Sequence, residues 1–383
     1  MSIYLDYNAS SPINKDVIEY MVDVYSNSYG NADSRTHIYG ENARNIVENA
    51  RKDIADLIGV QAGEVFFTSG STESNNIALL GLKQYANDVN KKHIIISSIE
   101  HKAVLEAARS MEREGYKVDY VNPESNGRID PKRVLGLVSE DTLLVSIMHV
   151  NNETGVIQPV KEIGDALLHQ DVLFHIDATQ SVGKMVEEVR ELQYDMMTFS
   201  AHKMYGPQGV GALVLKKKRY KLPPIKPIMY GGSQEHGIRP GTLPVALIAG
   251  FGLASKIANN TYKESKKKCK NIKESILRML DESELEYIIN GDENSSIENT
   301  INICLKGISS EALMLYSKQY CGISNGSACN STKYNPSYVL KAMGMELEDI
   351  KCSLRISWGP DTDTNEVQEN FSELLRVARE LAY

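Results

Sequence analysis

From residue 64 onward, short runs of β-branched and aromatic residues alternate with longer stretches whose apolar positions recur every three or four residues. The short runs at 64–68, 93–97, 117–121, 143–148, 173–177, 196–200 and 211–215 predict strands. The amphipathic stretches at 41–58, 73–84, 102–114, 134–138 and 160–170 predict the helices between them. Strand and helix in steady alternation are the signature of βαβ units, so this part of the chain reads as an α/β fold with a mainly parallel sheet sandwiched by helices. Near residue 250 the pattern changes. A long charged helix over 253–280 is followed by strands at 287–290 and 300–305 and a closing helix over 366–381. Two domains are therefore expected: a large one over 13–250, and a smaller α+β domain made of 1–12 and 251–383.

Composition narrows the function classes without choosing one. The net charge of −8 is carried by mixed signs, which opposes a surface built to coat nucleic acid. Lys266, Lys267, Lys268 and Lys270 form the densest basic run, but they lie between Glu264 and Glu274 in a helical stretch and read as a solvated face. No apolar run approaches the roughly 20 residues needed to cross a bilayer, and no secretory leader pattern is seen, so the chain is expected to be cytoplasmic. Five cysteines with no Cys-x-x-Cys pair predict neither a disulfide framework nor a metal site.

The candidate chemistry gathers where strands end, the edge at which open α/β sheets bind ligands. Lys203, in Ser200-Ala201-His202-Lys203, follows one strand, and Asp177 closes the strand before it. An amine that holds pyridoxal phosphate as a Schiff base needs a carboxylate elsewhere to keep the pyridine nitrogen protonated, and Asp177 suits that role. Ser200 and His202 add donors for an anionic phosphate. Thr68-Ser69-Gly70-Ser71-Thr72-Glu73 joins a strand to a helix; it reads either as a phosphate cradle through Ser71, Thr72 and the backbone, or as ordinary helix capping. His101 begins another helix, where an imidazole can stack on a ring and exchange protons or simply face solvent. Val150-Asn151-Asn152-Glu153-Thr154-Gly155 places amide donors at the same edge.

Together these segments resemble the ordered motif set of the cysteine desulfurases, fold-type I, class V aminotransferase-like enzymes. The motifs are Thr68 to Asn76, Glu100-His101-Lys-Ala-Val, His149-Val-Asn-Asn-Glu-Thr-Gly155, Asp177-Ala-Thr-Gln-Ser-Val-Gly183, Ser200 to Pro207 and Ser324-Asn-Gly-Ser-Ala-Cys-Asn330. The likeness runs from Tyr4 to Ser357. It implies that Lys203 anchors pyridoxal 5′-phosphate and moves the substrate's α-proton, that Asp177 meets the pyridine nitrogen, and that Gln180 meets the ring oxygen. His101 would stack on the ring and relay protons. Thr72, Ser200 and His202 would hold the phosphate, with Thr242 reaching the phosphate of the other subunit in a homodimer. Asn152 and Arg355 would bind the substrate carboxylate. Tyr230 and His236 depart from the family pattern, which expects glycine and arginine there.

The reaction type rests on Cys329. Its neighbours are small and polar, predicting an exposed loop, whereas Cys304 sits among apolar residues as a structural cysteine does. The resemblance implies that the Cys329 thiolate takes sulfur from L-cysteine as a persulfide, leaves L-alanine, and delivers the sulfur to an acceptor protein. Asn31 to Gly40 and Ser324 to Cys329 resemble the desulfurases of DNA phosphorothioate modification, with iron–sulfur assembly or tRNA thiolation as the alternative. Neither pathway requires this chain to bind DNA directly. A selenocysteine lyase shares the fold and cofactor, and a non-catalytic interaction protein on the same fold would be expected to have lost Lys203 or its partners.

Overall fold

The computed structural model describes residues 2–326 and 336–382; Cys329 lies outside the described residues. Seven strands form the main sheet: β1 (Val65–Thr68), β2 (His93–Ser97), β3 (Lys117–Val121), β4 (Thr142–Ser146), β5 (Leu173–Asp177), β6 (Met196–Ser200) and β7 (Gly211–Leu215). Their spatial order is β1-β7-β6-β5-β4-β2-β3. Neighbours are parallel except around β7, which runs antiparallel to both β1 and β6. Most of these strands are buried along their whole length, as expected for a sheet covered on both faces. Alternation splits the apolar load between the faces. Phe67 packs in one core with Ile54, and Phe66 in the other with Ile77.

The helices that matter for the site are α1 (Lys15–Asn27), α2 (Ile38–Ile58), α3 (Ser71–Leu80), α4 (Lys83–Val89), α5 (Lys102–Arg113), α6 (Val160–Leu167), α7 (Val245–Asp281) and α8 (Thr364–Leu381). The single helix expected over 73–84 is two, because the Gly81 carbonyl accepts from the Lys226 backbone N–H and that segment packs where a side chain at 81 would stand. Helix α7 starts before the expected residue 253 and runs unbroken through the boundary expected at 250/251. It contributes Ile248, Phe251 and Ala258 to the core under the main sheet, and Cys269, Ile272, Ile276 and Leu280 to a separate core with Trp358 and Phe371. Lys266, Lys268 and Lys270 pair with Glu188, Glu264 and Glu274 at 3.2, 2.9 and 4.0 Å, as a solvated helix face should.

The second core backs a three-stranded antiparallel sheet of β8 (Tyr287–Ile289), β9 (Thr300–Leu305) and β10 (Ser353–Ser357), in the order β10-β9-β8. The N-terminal segment is tied to it, since Ile3–Tyr4 pairs with Cys321–Gly322 and Asp6 bridges Ser357. That tie delivers residues 6–11 to the edge of the main sheet. Among the described residues, no helix is long and apolar enough to cross a membrane, and no cluster of His, Cys, Asp and Glu has the arrangement of a metal site.

Candidate active site

Strand register brings the first two candidate groups together. Asp177 is the last residue of β5 and pairs with Thr198 of β6, and β6 runs on through Ser200 into the single turn that carries Lys203. The Lys203 amine donates to the backbone carbonyls of Asn8 at 2.5 Å and Ala9 at 2.6 Å, so the N-terminal segment closes over it. Asp177 is buried, and each of its oxygens is held. Oδ1 accepts from the Thr179 N–H (3.0 Å) and hydroxyl (2.5 Å), and Oδ2 from Asn75 Nδ2 (2.8 Å).

The turn between β1 and α3 decides between capping and anion binding. The N-cap is Gly70, with φ 153° and ψ 176°, and among the described residues no side chain caps the helix. Only glycine adopts that backbone readily. Gly211 packs so closely that a Cβ on it would lie 2.6 Å from Gly70 Cα. Ser71 is occupied elsewhere, its hydroxyl 2.7 Å from that of Thr179, while Thr72 is exposed. The Ser200 hydroxyl stands 3.7 Å from where a Gly70 side chain would begin. A ten-residue helix with uncapped N–H groups and two hydroxyls at its mouth is suited to a phosphate. His202 lies beside Ser10, Nδ1 to Oγ 3.3 Å; burial, then the Lys203 and Lys184 charges, push its pKa down to about 4. It is thus a neutral donor and acceptor near pH 7. An amine, a carboxylate across from it and this helix mouth form the donor set that a phosphorylated pyridine aldehyde requires.

His101 is the N-cap of α5, its Nδ1 accepting from the Ala103 N–H at 3.1 Å, which leaves Nε2 as the outward proton carrier. Surrounding protein lowers its pKa, Asp177 raises it and Lys203 lowers it again, although the residue keeps an open surface. Gln180 is buried with its amide clamped: Nε2 donates to the Asn8 carbonyl (3.1 Å) and Oε1 accepts from Lys184 (3.1 Å). Burial, with the Lys203 charge, pushes the Lys184 pKa down to about 7. Lys184 lines a cavity of about 260 Å3 with Gly183, Met204, Tyr262, Cys269 and Asp361.

Arg355 and Asn152, the two residues expected to bind a carboxylate, stand together, with the guanidinium already engaged by protein groups. Arg355 is buried in β10, where its guanidinium donates to Asp6 Oδ1 (2.6 Å) and to the Asn152 carbonyl (3.1 Å). Among the described residues, its Nε and the Asn152 Oδ1 have no hydrogen-bond partner. A carboxylate arriving here would compete with Asp6. Arg355 also exchanges backbone hydrogen bonds with Ser324, which pins the start of the segment leading to Cys329. The other side of that segment is fastened through Ser337, whose hydroxyl donates to Glu153; Gly326 lies so near the same carboxyl that a Cβ on it would be 2.7 Å from Oε2.

Burial raises the Glu153 pKa from 4.5 to about 7. An acid raised in the folded state makes folding take up a proton, so its penalty is absent below 4.5 and grows as pH rises to about 7. Glu153→Gln is expected to be more stable than the parent at pH 8, by at most about 3 kcal/mol, and little changed at pH 4.5. Thermal unfolding at both pH values checks this. An advantage independent of pH would show that the carboxyl is not strained by burial.

Thr242 remains at the exposed surface, two residues after Pro240, and Arg239 ties its segment to α3 through Glu73 at 3.0 Å. The preceding stretch, where Tyr230 and His236 stand, is held by Glu235, which takes a two-bond contact from Arg51 at 2.8 Å each. Tyr230 itself is 90% exposed. Three of the four described cysteines are inert by environment: burial pushes the thiols of Cys269, Cys304 and Cys321 up to about 12.

Asn8, Asp6, Lys184, Asn75 and Glu153 were not singled out from sequence. Asn8, Asp6, Asn75 and Glu153 act through contacts between distant segments, so spacing carries no signal for them, whereas Lys184 bonds Gln180, four residues earlier. The aspartate and asparagine near the N-terminus, in Leu5-Asp6-Tyr7-Asn8, were the visible hint.

A family model for aminotransferase class V matches residues 3–369. The cysteine desulfurase IscS of Rickettsia bellii (strain OSU 85-389) is 41% identical over 367 residues, covering 96% of this chain and 88% of its own. Among solved structures, a NifS-like protein superposes with a TM-score of 0.91 at 33% identity over the whole of both chains. DndA from Streptomyces lividans does so with 0.81 at 38% identity, covering 93% of this chain and 99% of its own.

Proposed function

Because this chain belongs to the class-V aminotransferase family and is a pyridoxal-phosphate-dependent cysteine desulfurase, we propose that it moves sulfur from L-cysteine to a persulfide on Cys329 and leaves L-alanine. One observation carries the assignment of Cys329: both flanks of its segment are fastened beside the substrate pair, Ser324 to Arg355 and Ser337 to Glu153, next to Asn152. Cys329 is five residues from Ser324, a reach of up to about 17 Å.

When bound, pyridoxal phosphate supplies an electron sink that weakens the substrate's α-C–H and C–S bonds. Lys203 Nζ, freed from the Asn8 and Ala9 carbonyls, anchors the cofactor and then takes up and returns the α-proton. Asp177 would meet the pyridine nitrogen and Gln180 the ring oxygen, and His101 Nε2 would carry protons. Thr72, Ser200 and His202 would hold the phosphate, with Ser71 bound to the Thr179 hydroxyl beside it. Arg355 and Asn152 orient the carboxylate, with Asp6 as the partner Arg355 gives up. The Cys329 thiolate attacks the substrate sulfur; the S–S bond forms, the C–S electrons pass to carbon, and a proton completes alanine. Substrate thiol and enzyme thiol thus become alanine and a persulfide with atoms balanced.

The assembly proposed is a homodimer in which Thr242 serves the other subunit's phosphate site. Supporting it are exposed apolar side chains on α1, the start of α2 and the link between them: Val22 and Tyr25 on α1, Ile38 on α2, and Tyr29 in the link, 70% exposed and stacked on Tyr39 at 5.7 Å. The acceptor proposed belongs to DNA phosphorothioate modification, which the motifs at 31–40 and 324–329 and the likeness to DndA support. The IscS relative favours iron–sulfur assembly as the second reading. The purified protein is expected to sediment as a dimer and to pass labelled sulfur to a phosphorothioation enzyme. A monomer would remove the role of Thr242, and transfer to an iron–sulfur scaffold alone would select the second reading.

A further inference from the structure

Beneath Asp177 lies a chain of buried polar groups that the reaction as described does not use. Asn75 Nδ2 is 2.8 Å from Asp177 Oδ2, and Asn75 Oδ1 is 2.5 Å from the Thr198 hydroxyl. Thr198 Oγ1 is 3.2 Å from His175 Nε2, and His175 Nδ1 is 2.8 Å from the Ser146 hydroxyl. Asn75, Thr198, His175 and Ser146 are each 0% exposed. Register explains the assembly: Ser146 pairs with His175 and Thr198 with Asp177 across neighbouring strands, while Asn75 descends from α3. Burying four polar side chains out of reach of solvent is costly unless each is satisfied.

The donor directions follow from the group types. The Asp177 carboxylate only accepts, so Asn75 must present its NH2 there and its carbonyl oxygen to Thr198. The Thr198 hydroxyl proton is then committed to Asn75, and His175 Nε2 must carry the proton it donates to Thr198. Nδ1 is left bare, to accept from Ser146. Every hydrogen bond from Ser146 onward points toward Asp177. Burial, against a smaller pull from Asp177, pushes the His175 pKa down to about 4, which agrees with a neutral ring in this role.

We infer that Asn75, Thr198 and His175 are positioning residues that fix the orientation of Asp177 Oδ2 toward the cofactor's ring nitrogen and lock the distance between that carboxylate and the phosphate helix. The second part follows because Asn75 and Thr72 stand on the same helix, three residues apart, so one rigid element holds both ends of the cofactor site. The inference rests on the reading of Asp177 as the ring-nitrogen partner.

The test uses the full-length protein stripped of cofactor and reconstituted with pyridoxal phosphate, and the cofactor dissociation constant and visible spectrum are read. Asn75→Ala and Thr198→Val are each expected to weaken retention by about tenfold, the scale of one hydrogen bond to a charged group, and to shift the bound cofactor's band. His175→Phe is expected to do the same, and His175→Gln, whose amide reaches the Nε2 position, to restore it. Nitrogen-15 NMR of His175 in the holoenzyme should report a bare Nδ1, a protonated Nε2 and no titration between pH 5.5 and 8.

Asp177→Ala separates the two levels. If it leaves retention unchanged, the reading of Asp177 itself fails. If it weakens retention while Asn75→Ala and Thr198→Val do not, the relay fails alone; so it does if Asn75→Ala has its full effect on the Asp177→Ala background, or if His175 titrates near pH 6.5. Thr198→Val is close in shape to the parent and keeps the question decidable should Asn75→Ala not fold.

Discussion

Lys203→Ala is expected to fold, to lose the visible absorption band of the bound cofactor, and to form L-alanine at least about 10³-fold more slowly than the parent. The folded state tolerates the change for a local reason. The amine donates to two backbone carbonyls, of which Asn8 keeps the Gln180 amide as a donor and Ala9 lies toward solvent. Losing those contacts costs about 1 kcal/mol each, too little to unfold a chain of this size. Chemistry has no such reserve. No other described lysine amine shares the carbonyl cradle at Asn8, and Lys184, the nearest alternative along the Gln180 side chain, is held to Oε1 on the far side of that amide. A band that survives in Lys203→Ala would show that the cofactor is held by another group. A lost band with undiminished alanine formation would separate the cofactor from the reaction.

The sheet was legible because its strands are buried on both faces. Runs such as Ile94-Ile95-Ile96 and Leu213-Val214-Leu215 have no polar position to confuse the period, and five of the seven strand ranges agree to the residue. Helix α1 was not legible, since of its 13 residues only Val17 and Val24 are buried and its apolar side chains face outward. Strand β10 was read only as the end of a motif, because Arg355 interrupts its apolar run although all five of its residues are buried. The candidate site groups were legible where they sit at strand or helix ends with their own turn residues, as Asp177, Lys203 and His101 do. What the sequence could not convey is the traffic between distant segments. Asp6 on Arg355, Asn8 under Lys203 and Asn75 under Asp177 join residues 349, 195 and 102 positions apart, and they exist only once those segments have packed together. The same holds for His175, which in sequence is one more residue of a buried strand.

Those long-range contacts bear on the other large expected effect, Cys329→Ser. The variant should bind L-cysteine and give the parent's spectral change on substrate addition, because Arg355, Asn152, Lys203 and Asp177 are untouched. Sulfide and alanine formation should fall by at least about 10³-fold, since a serine hydroxyl near neutral pH neither ionises nor forms the bond to sulfur that a thiolate forms. None of the three buried thiols offers a substitute. Cys269, Cys304 and Cys321 are pushed up to about 12, and Cys321 already donates to the Asn370 carbonyl. Serine at each of those three positions should leave turnover near that of the parent, which gives the comparison its control. If Cys329→Ser retains sulfide release, the persulfide must form elsewhere, and the fastening of Ser324 to Arg355 and Ser337 to Glu153 would need another purpose. If it loses the spectral change as well, Cys329 acts in binding before it acts as a nucleophile. Loss of turnover with the spectral change intact is the outcome that assigns the two halves of the chemistry to different residues: Lys203 to the cofactor and the proton, Cys329 to the sulfur.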